Sequence, residues 1–379
     1  MSAVATPRSS NRAPGAVLPG AEARNGTVAP VPLEHEDLVL HRGSRSGRYV
    51  IVAVHSTTLG PALGGVRLWH YPATTDAILD ALRLARGMTF KAAAAGLALG
   101  GGKGVICAPP HAANGPERRD LLLDFGDLVE SLDGRYITAE DVGISPPDLV
   151  AIRERTAHVT GLPPERGGSG DPSPFTALGV EAAMRACARV RFGSPELAGL
   201  RIAIAGLGHV GEKLARRLVE DGAEVAASDI DPAKRRVAEE LGARWIAPDE
   251  EIIADCDILA PCALGGAIDA ANLPLLRCEI VCGCANNQLA DESLAASLAE
   301  RGILYAPDFV VNAGGLIHVY REIRGYSEEH ARELVLGIEE NLEGILRTAE
   351  DRAITPLDAA RTVAMERLEA AGAGHPAAA

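Results

Sequence analysis

The chain has 379 residues, 47% of them hydrophobic but only 3% aromatic, and a formal charge of −14. That length exceeds what one core usually organises, so two domains are expected, with abundant Gly and Ala implying close packing of helices on sheets. The acidic balance argues against nucleic acid and an anionic membrane as partners, no apolar run reaches the ~18 to 20 residues of a membrane span, and a small-molecule partner is favoured.

Seven cysteines, Cys107, Cys187, Cys256, Cys262, Cys278, Cys282 and Cys284, form an odd set in apolar contexts. They imply reduced thiols in a cytoplasm. Cys278, Cys282 and Cys284 lack the paired CxxC spacing of structural zinc and sit in a strand-like run, so no metal is expected.

Met1 to Pro32 is rich in Ala, Pro, Ser and Gly with almost no apolar periodicity, and is expected to be a disordered leader. Leu38 to Leu40 and Tyr49 to Val54 read as the arms of a hairpin, and Leu59 to Trp69 as strand and loop. Thr74-Thr75-Asp76 caps a helix whose apolar positions Ile78, Leu79, Leu82 and Leu84 recur with helical spacing up to Gly87. That helix delivers the chain to Lys91. The small-apolar run Ala92 to Leu99 follows, so the Lys91 ammonium is expected to leave a packed element for a partly dry cavity. Lys103 lies within Gly100-Gly101-Gly102-Lys103-Gly104, where the glycines allow positive φ and close approach to a ligand before Val105-Ile106 enters a buried strand. Burial lowers a lysine pKa and lets the amine exchange protons near neutrality. Taken singly, each lysine reads equally well as half of a structural ion pair or as a solvated side chain.

After Pro109-Pro110 and a polar loop, Leu121 to Leu132 reads as an amphipathic helix and Arg135 to Thr138 as a strand. The strand runs into Ala139-Glu140-Asp141-Val142-Gly143, a carboxylate pair at a strand end. By its own spacing Asp141 reads as the cap of the helix opened by Pro146-Pro147-Asp148. Gly161 to Pro174 is the richest Gly/Pro/Ser segment and marks a domain boundary, followed by a helical pattern from Phe175 to Val190.

Leu200 to Ala205 is a strand leading into Gly206-Leu207-Gly208-His209-Val210-Gly211, then a helix from Glu212 to Asp221 and a strand from Ala223 to Asp231. In that setting Gly206 serves the tight turn, Gly208 lets a pyrophosphate approach the backbone, and Gly211 packs the helix on the strand. The helix N-terminus offers free N–H groups to the phosphates, and Asp229 at the second strand end suits ribose hydroxyls and repels a 2′-phosphate, favouring NAD. Strands at Ile258 to Ala260, Ile280 to Cys282 and Ile303 to Tyr305 complete a doubly wound sheet. The loops carrying Cys262, Ala263, Asn286, Asn287 and Asn312 should line its crevice, although asparagines there also read as turn chemistry. From Ser327 onward the pattern is helical through Leu346, with a second helix after Pro356.

The segments GPALGG (60–65), MTFK (88–91), GGGK (100–103), TAEDVG (138–143), APCALG (260–265), ANNQL (285–289) and NAGG (312–315) resemble the glutamate/leucine/phenylalanine/valine dehydrogenase family. The resemblance spans about Leu38 to Met365. It implies that Lys91 holds a substrate carboxylate against backbone near Gly64 and Gly65, that Lys103 is the catalytic lysine, and that Asp141 is its proton-transfer partner. Ile144 and Ser145 depart from two threonines usual after TAEDVG. Cofactor contacts are implied at Gly206, Leu207, Gly208, His209, Val210, Gly211, Glu212, Asp229, Cys262, Ala263, Asn286, Asn287 and Asn312, with the NAGG loop closing the side-chain pocket.

The same resemblance lines that pocket with Leu63, Met88, Ala139, Leu316 and Val319. No charge among them disfavours glutamate, whose carboxylate would be buried unpaired. Ala139 resembles the leucine and valine enzymes, whereas Leu316, His318 and Tyr320 depart from the leucine enzymes' usual wording.

The expected architecture is α/β in two domains with a cleft between them. Residues 1–32 form the leader, 33–168 with a returning segment about 345–379 the substrate and oligomerisation domain, and 169–344 a Rossmann-type NAD-binding domain. The implied activity is NAD-dependent oxidative deamination of an apolar branched-chain L-amino acid, leucine first, to its 2-oxo acid and ammonia, and the reverse. Phenylalanine dehydrogenase, a dehydrogenase of a hydroxy acid or folate that needs no ammonia, and a silent NAD-binding sensor are the alternatives. The resemblance further implies a cytoplasmic homo-oligomer, dimer or octamer.

Overall fold

The computed structural model describes residues 33–109, 116–248, 250–325 and 327–373, so the leader and most of the polar loop after Pro110 lie outside the described residues. The first half contains β1 (Asp37–Arg42), β2 (Tyr49–Ser56), β3 (Ala62–Trp69), α1 (Thr74–Ala94), β4 (Gly100–Cys107), α2 (Pro116–Glu130), β5 (Tyr136–Ala139) and α3 (Pro146–Arg153). Its five strands lie in the order β1-β2-β4-β3-β5, with β1 and β4 antiparallel to β2, and β4 and β5 parallel to β3.

The second half holds α4 (Ser173–Phe192), β6 (Arg201–Ala205), α5 (His209–Glu220), β7 (Glu224–Ser228), α6 (Lys234–Leu241), β8 (Arg244–Trp245), β9 (Ile258–Pro261), β10 (Ile280–Val281), α7 (Leu294–Glu300) and β11 (Leu304–Tyr305). All six strands are parallel in the order β11-β10-β9-β6-β7-β8. That is the doubly wound order of a dinucleotide-binding sheet, whose direction of winding reverses between β6 and β9 and opens a crevice at their carboxyl ends. Short helices α8 (Asp308–Val311) and α9 (Gly314–Arg324) follow, then α10 (Glu328–Leu336), α11 (Ile338–Arg352) and α12 (Pro356–Ala373). Among the described residues no helix is long and apolar enough to cross a membrane.

Four local expectations change. The helix thought to end at Gly87 continues to Ala94 and carries Lys91 in its last turn. Its cap position is Ala73, whose N–H donates to Asp76 Oδ2 at 3.2 Å, in place of a Thr74 cap. Nor does it bury its leucines: Ala77, Ala81, Ala85, Thr89, Ala92 and Ala93 face the sheet while Leu79 is 61% exposed. The single helix expected from Ser327 to Leu346 is divided at Gly337.

A fifth change explains the third. Gly100 to Gly104 do not form a positive-φ turn; they are regular strand, buried throughout, and none has a positive φ. Their lack of a side chain serves packing. A Cβ on Gly101 would stand 2.0 Å from Thr89 N, one on Gly102 2.6 Å from the Tyr136 ring, and one on Gly104 2.5 Å from Phe125. With glycines on the strand and alanines on the helix, α1 lies directly against β4.

The C-terminal helices finish α1. α12 packs on both α1 and α11, and Arg367 Nη1 donates to Ala93 O and Ala94 O at 2.8 and 2.6 Å. Asn341 Nδ2 donates to Ala94 O at 2.8 Å. Ala94 O at the helix C-terminus is thereby satisfied by an amide and a guanidinium, and Ala93 O, which already accepts from Gly96 N, gains the same guanidinium, a charge that suits the negative end of the helix dipole.

Replacing Gly101 with Ala should force the α1 backbone off β4 and cost about 1 to 3 kcal/mol. Urea unfolding should show a lower midpoint at unchanged m value, and an unaltered midpoint would contradict the packing account.

Candidate active site

Lys103 enters the interior because its neighbours on β4 have no side chains. It is 4% exposed, and its Nζ lies 2.9 Å from Asp141 Oδ1. Asp141 is therefore not a helix cap: that position belongs to Ser145, whose backbone N–H donates to Asp148 Oδ2. The second Asp141 oxygen accepts from Arg67 Nε at 2.9 Å. Arg67 Nη1 in turn donates to Asp80 Oδ2 at 2.8 Å, and Tyr71 and Arg83 donate to the same carboxylate at 2.7 and 2.8 Å.

Burial lowers the Lys103 pKa, with Asp141 opposing and Arg67 adding to the fall. Burial alone would raise Asp141, but the Lys103 ammonium and Arg67 guanidinium outweigh it and hold the carboxyl below its usual range. The pair is a lysine made easier to deprotonate beside a carboxylate kept ionised. Arg67, Asp80 and Tyr71 escaped the sequence reading. An arginine flanked by Val66 and Leu68 in a buried strand was the available signal, because such a charge needs a partner.

Lys91 sits half-buried at the end of α1. Burial lowers its pKa to about 8, with Asp308 opposing and Lys103 adding to the fall. Asp308, the first residue of α8, belongs to the other half of the molecule. Its Oδ2 accepts from Gln288 N at 3.2 Å, and backbone N–H groups of Phe309 and Asn287 also favour its ionised form, although burial raises its pKa overall. One carboxylate thus faces Lys91 and ties down the loop that carries Asn286 and Asn287. Sequence reading missed it because Pro307-Asp308 looks like an ordinary helix start.

Gly64 and Gly65 permit two close approaches. A Cβ on Gly64 would stand 1.7 Å from Gly102 O, and one on Gly65 2.4 Å from Glu140 O. Of the expected pocket residues, Leu63 and Leu316 are buried in one apolar cluster against which Met88 and Val319 pack, while Ala139 pairs with Gly65 at the end of β5. His318 engages the segment between the two sheets: its Nε2 is 2.9 Å from Ser169 O and its ring lies 4.6 Å from that of Phe175. Glu322 joins it there, accepting from Gly161 N, Ser169 N and Ser169 Oγ at 2.9 to 3.0 Å.

In the crevice Gly206 has φ +106°, and a Cβ on Gly211 would stand 2.0 Å from Gly206 O, so the turn and the close helix seat both need glycine. A Cβ on Gly208 would meet nothing within 4 Å, leaving room for phosphate above the N-terminus of α5, which begins at His209, three residues earlier than expected. Leu207 N donates to Asp229 Oδ2 at 2.8 Å, which sets that carboxylate just past β7 and beside the glycine turn. Glu212 turns instead to Lys234, at 3.3 Å, and Val210, in the first turn of α5, packs half-buried against the core.

Ala263 abuts Gly206, and Cys262 N donates to Ala205 O at 2.8 Å, bringing the end of β9 against the turn. Asn312 Nδ2 donates to Asn286 Oδ1 at 2.8 Å and to Cys284 O at 3.1 Å, while Asn287 adopts φ +52°. Asn312 Oδ1 is buried without a protein partner, an acceptor available to a ligand amide. Glycine seat, helix terminus, ribose-side carboxylate and orphan acceptor fit a nicotinamide dinucleotide. The NAGG segment is no loop: Asn312 ends α8 and Gly314-Gly315 open α9, with a Cβ on Gly314 only 2.2 Å from Phe175 O.

A family model described as "Glu/Leu/Phe/Val dehydrogenase, dimerisation domain" matches residues 39–158, and one described as "Glutamate/Leucine/Phenylalanine/Valine dehydrogenase" matches 230–374. The model of the D-isomer specific 2-hydroxyacid dehydrogenase NAD binding domain matches 180–265. Leucine dehydrogenase of Bacillus subtilis (strain 168) is 46% identical, covering 89% of this chain and 92% of its own. Valine dehydrogenase of Streptomyces virginiae is 43% identical over 88% of this chain and 94% of its own. Among solved structures, L-tryptophan dehydrogenase from Nostoc punctiforme superposes with a TM-score of 0.81 at 41% identity, covering 90% of this chain and 97% of its own.

Asp308→Asn removes the charge that supports the Lys91 ammonium. Lys91 should then lose its proton at a pH further below about 8. The protein has only four lysines, so ¹³C-methyl NMR of the reductively methylated protein, with Lys91→Arg for assignment, can follow it. A Lys91 titration unchanged by Asp308→Asn would refute the coupling.

Proposed function

The chain belongs to the glutamate/leucine/phenylalanine/valine dehydrogenase family, as an NAD-dependent amino acid dehydrogenase, and from that premise we propose that it interconverts branched-chain L-amino acids, leucine first, with their 2-oxo acids and ammonia. The observation that carries the reading is the buried Lys103–Asp141 pair at 2.9 Å, close to a second lowered lysine in Lys91. NAD supplies the hydride acceptor. Lys91 as ammonium holds the substrate carboxylate, with the Gly64 and Gly65 backbone packed on it. Neutral Lys103 takes a proton from the water that adds to the substrate iminium carbon, and Asp141 accepts and returns protons during that step. Arg67 keeps Asp141 ionised and aimed. Gly206, Leu207, Gly208, His209, Val210, Gly211 and Glu212 would hold the dinucleotide phosphates, Asp229 the adenosine ribose, and Cys262, Ala263, Asn286, Asn287 and Asn312 the nicotinamide end.

Leu63, Met88, Ala139, Leu316 and Val319 would take the substrate side chain. Their uncharged character and the likeness to leucine and valine dehydrogenases support an aliphatic substrate. The likeness to an L-tryptophan dehydrogenase supports a second reading, an aromatic substrate. We assign the substrate domain to 33–168 with about 345–379, and the NAD domain to 169–344. The dimerisation description of the model over 39–158 supports a homo-oligomer.

Oxidation of NADH by a panel of 2-oxo acids should require ammonia, with the leucine and valine analogues leading kcat/KM. One methylene in such a pocket is worth only ~1 to 3 kcal/mol, so selectivity among aliphatic substrates should be partial. A ranking led by aromatic acids defeats the Ala139 argument, and one led by 2-oxoglutarate defeats the pocket.

Lys103→Ala should lower kcat by about 10² to 10⁴ while NADH binding persists, since the lysine lies outside the phosphate turn. In wild type, deamination should rise with pH as Lys103 deprotonates, at a pH below the ordinary 10.5 of a lysine because burial favours the neutral amine. Near-normal turnover in the variant would remove Lys103 from the mechanism.

A further inference from the structure

Strands β9 and β10 pair with Ile258 opposite Ile280 and Leu259 opposite Val281. Beyond both strands Cys282 N donates to Leu259 O and Ala285 N to Pro261 O, a slip of one residue that bulges the chain at Gly283-Cys284 beside Pro261-Cys262. Neighbouring strands lie ~4.7 to 4.9 Å apart, a separation that a disulfide spans. Gly283 keeps the chains close, since a Cβ there would stand 2.2 Å from Pro261 O. Cys284 Sγ reaches 3.8 Å from Cys262 O.

The pair differs from four of the other cysteines in access, and from the equally accessible Cys107 in having a thiol neighbour. Cys262 and Cys284 are half-buried at the crevice, whereas Cys187, Cys256, Cys278 and Cys282 are buried. The hydrogen bond from Cys284 holds the Cys262 thiol below its ordinary range, with burial opposing. Burial pushes Cys107 up to about 11, Cys256 to about 12 and Cys278 to about 11. A thiolate is the reactive form, so Cys262 is the nucleophile and Cys284, its hydrogen-bond donor, the resolving thiol. Cys256 and Cys278 extend the β9–β10 register at the opposite strand ends, but are buried and less acidic.

Position gives the pair a consequence. Cys262 Cβ would be 3.4 Å from a Cβ on Gly211, and the Cys284 carbonyl receives Asn312 Nδ2, which also binds Asn286. A bond of ~2.05 Å between the two sulfurs would fix both side chains beside these supports, on the wall of the crevice.

We propose that Cys262 and Cys284 are a redox-responsive thiol pair of the cofactor crevice, closed to a disulfide by a peroxide and thereby weakening dinucleotide binding. The Cys262 thiolate attacks one peroxide oxygen; the O–O bond breaks, hydroxide leaves and is protonated to water, and Cys262 becomes a sulfenic acid. The Cys284 sulfur then attacks the Cys262 sulfur. The S–O bond breaks, the S–S bond forms, and the hydroxyl departs as water with the Cys284 proton. Two thiols have lost two electrons, and hydrogen peroxide has taken them.

The test treats the full-length enzyme with hydrogen peroxide, then maps its peptides under non-reducing conditions by fragmentation mass spectrometry and measures NADH binding by fluorescence. The expected result is a Cys262–Cys284 link accompanied by loss of NADH binding, both reversed by dithiothreitol. Cys284→Ser, or Cys284→Ala should the first variant fold poorly, should keep its own NADH affinity through the same treatment. No link, a link at Cys256–Cys278 alone, a Cys262–Cys284 link with NADH affinity unchanged, or equal loss of binding in the Cys284 variants would each overturn the proposal.

Discussion

An ammonium buried at 4% exposure dictates much of what surrounds it. Taking a charge out of water costs several kcal/mol even after relaxation, and a single partner seldom repays it. Lys103 has Asp141, and Asp141 has Arg67 as its second donor. Arg67 is itself half-buried and is held by Asp80, which also receives Tyr71 and Arg83. The chain of partners runs outward from β4 across β3 to α1 until it meets solvent. Such an arrangement contributes little to stability compared with an apolar replacement. Its value is a lysine that can give up its proton and a carboxylate fixed beside it.

Room for that lysine comes from what its neighbours lack. With glycine at 64, 65, 100, 101, 102 and 104, β3, β4, α1 and the 140–141 turn approach to distances at which a Cβ would collide. The alanine face of α1 follows from the same closeness, and so does the exposure of Leu79. The helix reaches its end near the sheet instead of above it, which puts Lys91 over the strand ends and lets Arg367 and Asn341 from the C-terminal helices close its last turn. Chemistry-bearing side chains are therefore positioned by backbone contact, without bulky spacers that could adapt to a misplaced neighbour.

The dinucleotide sheet was readable from the sequence almost element by element, because strand, GxGxxG, helix and strand follow one another with the spacing that the phosphate turn demands. The approach of Lys103 to Asp141 was expected from the sequence too, through resemblance and not from spacing. Lysine usage held a further signal: only four lysines occur among 37 basic side chains, and burial makes two of them, Lys91 and Lys103, easier to deprotonate, which an arginine would resist. Gly100 to Gly104 misled, since a glycine run signals a turn by composition, and only tertiary contact reveals that it serves as a closely packed strand. The NAGG segment misled in the same way, its glycines marking where α9 starts against Phe175. Arg67, Asp308 and Glu322 were hidden because each acts across a sequence separation that no local pattern records.

Those long-range groups share one property: each connects parts of the molecule that could otherwise move independently. Asp308 binds the backbone of the asparagine loop while its charge bears on Lys91 in the other half. Helix α9 carries Leu316 and Val319 into the central apolar cluster, and the same helix grips Ser169 and Gly161 through His318 and Glu322. Residues 161–169 lie between the two sheets, so any change in their relative position must act on that grip. A rigid helix cannot yield at Glu322 and stay fixed at Leu316, six residues and about 9 Å earlier at 1.5 Å per residue. Helix α9 and residues 161–169 are thus mechanically one body, so a displacement of that segment is carried to Leu316 in the apolar cluster.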